Sequence, residues 1–171
     1  MRQHRTGNCR RASSSIGDDV LPTKGDFDPW GSGDLDAEHA WRNFGGLTLA
    51  EAHLKFRENP GYYQENFMFM GGKAFAFYFP VIEDYLSETP EMEGEGDREA
   101  WIIAKCIQIQ LEAKTAHHVA ALAERIIALS KFIQANIFSF GEYEEERRRI
   151  SAAWQELEAQ LRLAGKPDGA S

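Results

Sequence analysis

The stretch Gln64–Leu86, QENFMFMGGKAFAFYFPVIEDYL, decides how this chain is read. It places Phe67, Phe69, Phe75, Phe77 and Phe79, with Tyr78 and Tyr85, around Gly71-Gly72 and Pro80. From Lys73 onward the spacing is helical. Phe75 and Phe79 share a face with Ile82, Tyr78 lines up with Ile82 and Tyr85, and Phe77 points elsewhere. Two apolar faces on one helix require cover on both sides. Three readings stay open: a central core helix, a partner interface, or a small-molecule pocket. Pro80 lacks an amide hydrogen and crowds the carbonyl four residues back, so the pattern predicts a kink near Ala76–Tyr78, or a fresh helix starting at Pro80. Carbonyls freed beside aromatic rings would make a groove there. The preceding residues 66–70 alternate weakly at Phe67 and Phe69 and read as extended or helical.

Around this segment the chain is helical. Asp34 or Asp36 caps a short helix through Phe44, stopped by Gly45-Gly46. Thr48 and Glu51 form a capping box. Leu49, Ala52, His53 and Phe56 then share a face, and Asn59-Pro60-Gly61 ends the helix. Beyond Asp97, a candidate N-cap, three long helices follow. REAWIIAKCIQIQLEAK is apolar nearly all round and should be the most buried. AHHVAALAERIIALSKFIQANI sets Val119, Leu122, Ala123, Ile126, Leu129, Ile133 and Ile137 on one stripe. YEEERRRISAAWQELEAQLRLAG sets Tyr143, Ile150, Trp154, Leu157 and Leu161 on another, and its Glu144–Glu146 and Arg147–Arg149 runs suit pairing along the helix. Short loops between such helices predict antiparallel neighbours. The expected fold is all-α: an irregular, aromatic-rich N-terminal half with short kinked helices, packed on three long antiparallel helices.

With 171 residues, 43% hydrophobic and 27% charged, the chain has the size and composition of one ordinary domain. Residues 1–33 read as a disordered tail, with Trp30 as the residue able to dock on the body. Residues 34–165 read as one helical domain containing an acidic linker at 87–97, and residues 166–171 as a disordered C-terminus. The net charge of −8 is uneven. Residues 1–16 hold four arginines and no acid, whereas EDYLSETPEMEGEGDRE holds eight acids against one arginine. An acidic body repels phosphate backbones, which argues against nucleic acid as the main partner. No apolar run approaches the roughly 20 residues that span a bilayer, and the N-terminus has no apolar signal core. Cys9 and Cys106 are placed for no disulfide. The expected location is the cytoplasm.

Motifs for chemistry are scarce. His4, His39, His53, His117 and His118 fit neither HExxH nor a carboxylate-bridged bundle. Adjacent His117 and His118 point about 100° apart on a helix. Glu38-His39 and Glu51-x-His53 come from neighbouring helices that could bring them together. GGKA is no phosphate loop, no nucleophile elbow occurs, and Cys106 inside an apolar helix reads as a packing thiol. No catalytic, cofactor or metal residue is assigned.

The segment Phe67-Met68-Phe69-Met70-Gly71-Gly72-Lys73-Ala74-Phe75-Ala76-Phe77-Tyr78-Phe79-Pro80, followed by Tyr85-Leu86, resembles one in uncharacterised bacterial helical domains. There a similar aromatic stretch and proline precede two or three helices. Some of those domains lie near toxin systems, so the resemblance implies an immunity or accessory role, without catalytic residues. The residues themselves suggest a binding module for another protein, a basic one. Tyr62, Tyr63, Phe67, Phe69 and Tyr78 would anchor it, and Glu91, Glu93 and Glu95 would form an electrostatic fringe. The alternative is an enzyme or small-ligand binder with an aromatic pocket at Pro80 that uses Glu51 and His53. A third reading joins two copies as a homodimer through the Trp154–Leu161 stripe.

Overall fold

The computed structural model describes residues 20–88 and 100–164, and every element in them is helical. The expectations for residues 1–19, for 89–99, including Glu91, Glu93, Glu95 and the Asp97 cap, and for 165–171 lie outside the described residues. A 3₁₀ turn at Lys24–Asp26 leads into α1 (Leu35–Phe44), α2 (Leu49–Glu58), and two single turns, α3 (Pro60–Tyr63) and α4 (Asn66–Phe69). The long α5 (Gly72–Ser87) follows. Then come α6 (Ala100–Glu112), α7 (Ala116–Ala120), α8 (Ala123–Ala135), a 3₁₀ turn at Ile137–Ser139, and α9 (Glu144–Ala164).

Local chemistry sets the ends of the early helices. The Asp34 carboxylate accepts from the Asp36 amide at the start of α1. Gly46, at φ 77°, turns the chain after α1. At α2 the Glu51 carboxylate accepts from the Thr48 amide and hydroxyl, each at 2.8 Å, while the Thr48 hydroxyl accepts from the Glu51 amide. Asn59 caps α3 by accepting from the Tyr62 amide, with Pro60 pre-set in the first turn. Residues 66–70, read as extended or helical, form the turn α4. One buried side chain fixes it: the Gln110 amide nitrogen shares its two N–H groups among the carbonyls of Phe67 and Met68, each at 2.9 Å, and that of Met70. These are orphan carbonyls that a one-turn helix cannot satisfy alone.

The aromatic segment is largely core. Phe67, Phe75, Tyr78 and Phe79 are at most 1% exposed, while Phe69, Phe77 and Tyr85 are half-buried. The rings meet edge-on in a continuous run, Phe67 touching Phe44 at 5.4 Å, Phe56 at 5.6 Å and Phe75 at 6.3 Å between centroids. α5 does not break at Pro80, which sits inside one continuous helix. An interior proline costs about 3 kcal/mol. Tyr78 and Phe79 before it and Val81 and Ile82 after it are all buried, each contributing about 1.5–3 kcal/mol, so tertiary packing outweighs the local penalty. α6 is deeply buried as its composition requires, but it shares the centre of the molecule with α5.

Three further expectations are corrected. The packed body begins before Asp34: Phe27 is 1% exposed and stacks edge-on against Trp41 at 5.2 Å. Trp30, the residue expected to dock, is half-buried. The helix expected to run unbroken from Ala116 divides into α7 and α8, where the Leu122 amide turns back to the Val119 carbonyl at 2.9 Å, a tightened three-residue turn with no glycine or proline to announce it. Tyr143 leaves its predicted stripe and is 63% exposed, because α9 starts one residue later; the Glu146 carboxylate accepts from the amides of Glu142 and Tyr143 and turns that residue outward. The rest of the stripe, Ile150, Trp154, Leu157 and Leu161, is buried in this chain's own core, and the Trp154 indole donates to the Ala100 carbonyl at 2.9 Å. It therefore offers no free face for a second copy.

Gly71-Gly72 does more than interrupt a helix. A Cβ on Gly71 would stand 3.1 Å from the Asp26 carbonyl carbon, and one on Gly72 would stand 2.9 Å from the Thr115 hydroxyl. The pair lets the 3₁₀ turn and the α6–α7 connection close against the start of α5 from two sides. The Gly72 amide donates to the Thr115 hydroxyl at 2.7 Å, and Lys73 reaches Asp26 at 3.2 Å.

Candidate functional site

Helix α1 carries two adjacent stripes. Ala37, Ala40 and Phe44 face the core. Asp36, His39 and Asn43, at i, i+3 and i+7, lie along its neighbouring edge. The α3–α4 turns come to rest against that edge. Asn66, 6% exposed, ties the two together: its side-chain oxygen accepts from Asn43 at 3.0 Å and its amide donates to the Tyr63 carbonyl at 3.0 Å. The Tyr62 hydroxyl lies 3.1 Å from the His39 Nε2, so the two rings brace one another across the gap. What remains is an open cleft of about 280 Å³, lined by Asp36, His39, Tyr62, Glu65, Asn66 and Phe69.

The cleft combines aromatic surface with negative charge. Tyr62 is 53% exposed and Phe69 half-buried. Asp36 and Glu65 are both exposed, and among the described residues neither has a cationic partner. Its volume lies just below the roughly 300–1,000 Å³ of small-molecule sites. It suits a single side chain.

The expected anchors divide. Tyr62 and Phe69 stand in this cleft. Tyr63 is half-buried beside it, its ring edge-on to Phe44 at 5.9 Å and covered by the Lys55 ammonium at 5.0 Å. Phe67 and Tyr78 are core residues that no partner reaches. The Tyr78 hydroxyl lies 2.6 Å from the Phe44 carbonyl oxygen and 2.8 Å from that of Leu47, and burial pushes its pKa up to about 12. It staples the end of α1 to α5.

The alternative pocket at Pro80 finds no support in the placement of Glu51 and His53. The Glu51 carboxylate is held by Thr48, whose amide and hydroxyl keep it below the usual carboxylate range. His53 Nε2 faces Asp84 of α5 at 3.4 Å. Nor do Glu38 and His39 meet that pair, since Glu38 contacts Lys24 and Arg42. His117 and His118 stack on each other at 4.1 Å. Among the described residues no group of three or more His, Cys, Asp or Glu side chains is placed to hold a metal ion. Cys106 is fully buried, and burial pushes its thiol up to about 12, far from thiolate chemistry at neutral pH.

A second cavity, about 520 Å³, lies between the Lys24–Asp26 turn and the start of α1. Its most conspicuous carboxylate is already committed: Asp28 accepts from the amides of Gly31 at 2.7 Å, Ser32 at 3.1 Å and Gly33 at 2.9 Å. The Gly33 amide first, then the others, hold Asp28 below its ordinary pKa. Gly31 and Gly33 adopt φ of 71° and 68° to deliver those amides, so the loop is self-contained.

Comparison with protein-family models, curated proteins and solved structures finds no match for this chain. The site therefore stands on its geometry. Sequence reasoning found Tyr62 and Phe69 but gave no weight to Asp36, Glu65 or Asn66 as site residues. The available signal was the polar i, i+3, i+7 stripe on α1.

Proposed function

We propose that this chain is a non-enzymatic binding module that recognises a basic protein partner through the α1–α3–α4 cleft. The observation that carries the reading is that two carboxylates without a cationic partner among the described residues, Asp36 and Glu65, line the same cleft as the rings of Tyr62 and Phe69. The net charge of −8 extends the same sign over the surface and would steer a basic partner toward it. Glu91, Glu93 and Glu95 would add a fringe of the same sign. Among the described residues no helix is long and apolar enough to cross a membrane, and a cytoplasmic setting fits the reading. An immunity-type or accessory role, implied by the resemblance of Phe67–Leu86 to bacterial helical domains, is of the same kind.

The test is fluorescence anisotropy with a panel of synthetic basic, neutral and acidic peptides at two ionic strengths. Basic peptides should bind and weaken with salt. Reversing charge at Glu91, Glu93 and Glu95 should slow association and flatten its salt dependence. Equal binding of all three peptide classes, or of none, would refute the proposal.

A further inference from the structure

We infer that the group received in the cleft is the guanidinium of a single arginine side chain. This rests on the partner-binding reading and specifies its chemistry. The space, about 280 Å³, is open to solvent and of a size for one long side chain. A guanidinium is planar and always charged; it stacks on rings and engages carboxylates through a fork of N–H donors. The cleft offers both halves of that recognition: the rings of Tyr62 and Phe69, and the carboxylates of Asp36 and Glu65 with no cation of their own among the described residues. The molecule already uses this arrangement elsewhere. The Arg125 guanidinium lies over the Phe79 ring at 5.0 Å while its Nε donates to Glu83 at 3.2 Å and a terminal nitrogen donates to the other Glu83 oxygen. Lys55 over Tyr63 shows an ammonium on a ring face, but there no carboxylate completes the pair among the described residues.

The Asn66 ties preorganise the cleft, so little ordering is lost when the side chain enters. The His39–Tyr62 contact fixes the phenol, and the Tyr62 side chain remains 53% exposed to a guest.

The experiment is NMR chemical-shift mapping of the full chain titrated with N-acetyl-arginine amide, its lysine counterpart, and the neutral isostere N-acetyl-citrulline amide. Arginine should move the amides of Tyr62, Glu65 and Phe69, saturating at roughly millimolar concentration, with lysine weaker and citrulline silent. Asp36→Asn with Glu65→Gln should weaken the arginine titration about tenfold. Both sites are exposed, so a well-dispersed spectrum verifies the fold. Phe69→Leu keeps apolar bulk and should also weaken it. Equal responses to arginine and citrulline, equal responses to arginine and lysine, or shifts confined to other surfaces would overturn the inference. A lysine-rich peptide that binds while arginine amide leaves the cleft unmoved would sink this occupant and keep the partner-binding reading. Arginine seated in the cleft with no peptide bound would do the reverse.

Discussion

Gly72→Ala sets local and tertiary physics against each other. Gly72 is the first residue of α5 and its φ is not positive. Local reasoning therefore favours alanine, by up to about 1 kcal/mol, through helix propensity and a less flexible unfolded chain. The neighbourhood says otherwise. A Cβ there would lie 2.9 Å from the Thr115 Oγ, 3.0 Å from its carbonyl carbon and nearer still to its carbonyl oxygen. Backbone cannot swing aside as a flexible side chain can. Overpacking of this kind costs about 1–3 kcal/mol. Moving Thr115 also strains the 2.7 Å bond from the Gly72 amide, a further loss of about 1 kcal/mol. The net expectation is destabilisation by about 1–3 kcal/mol.

Urea unfolding followed by tryptophan fluorescence reads this directly. With a slope of about 1–3 kcal/mol per molar for a small domain, the midpoint should fall by about 1 M. Gly61→Ala is the matched control: it too has no positive φ, and its nearest neighbour would be the Asn59 side-chain oxygen at 3.9 Å. That variant should be neutral or slightly stabilised. A Gly72→Ala protein as stable as the parent, or Gly61→Ala falling equally, would refute the claim that close approach holds this glycine.

Tyr78→Phe should cost about 1–3 kcal/mol in the same assay, because the buried Phe44 carbonyl and the part-buried Leu47 carbonyl lose the hydroxyl between them; a change under about 0.5 kcal/mol would show that they find other donors. Alkaline unfolding should track Tyr78 and Cys106, whose ordinary values of 10.0 and 9.0 rise to about 12 through burial. The native state holds both protons more tightly, so stability is full below pH 9 and is lost as pH climbs to about 12; circular dichroism that stays flat through that window would count against both assignments. Cys106 should react with a thiol reagent only as fast as the chain opens, so labelling at neutral pH should accelerate with urea in step with unfolding, and rapid labelling of this residue without denaturant would contradict its burial.

The helices were legible where local chemistry and pattern agree. The Asp34 cap, the Thr48–Glu51 box and the Asn59-Pro60-Gly61 stop all act within four residues of the atoms they satisfy, so sequence spacing is enough to find them. Of the two outcomes expected at Pro80, a fresh helix does not occur, because the local penalty is outweighed by the burial of Tyr78, Phe79, Val81 and Ile82 on both sides of it. Phe27 was missed because a lone aromatic among glycines and aspartates has no period. The α7–α8 division was invisible because Val119 and Ile126, seven apart, reach the same core whether or not the helix between them tightens.

The cleft lay further from view, for a reason that concerns the whole fold. On α1, the stripe Asp36–His39–Asn43 reads as an ordinary wet edge, since a solvated face and a recognition face use the same residues at the same spacing. The difference is whether another element lands beside it. That placement is fixed elsewhere: by Gln110 on α6, which gathers three carbonyls at the end of α4, and by Gly71-Gly72, which lets Asp26 and Thr115 close on the start of α5. The burial of Phe67 contributes too, pulling α4 inward so that Phe69, two residues on, is left partly outside with Tyr62. The aromatic segment thus serves both readings in sequence. Most of its rings build the core, and the anchoring of those rings presents Phe69 at the surface, within reach of two carboxylates that have no cation of their own among the described residues.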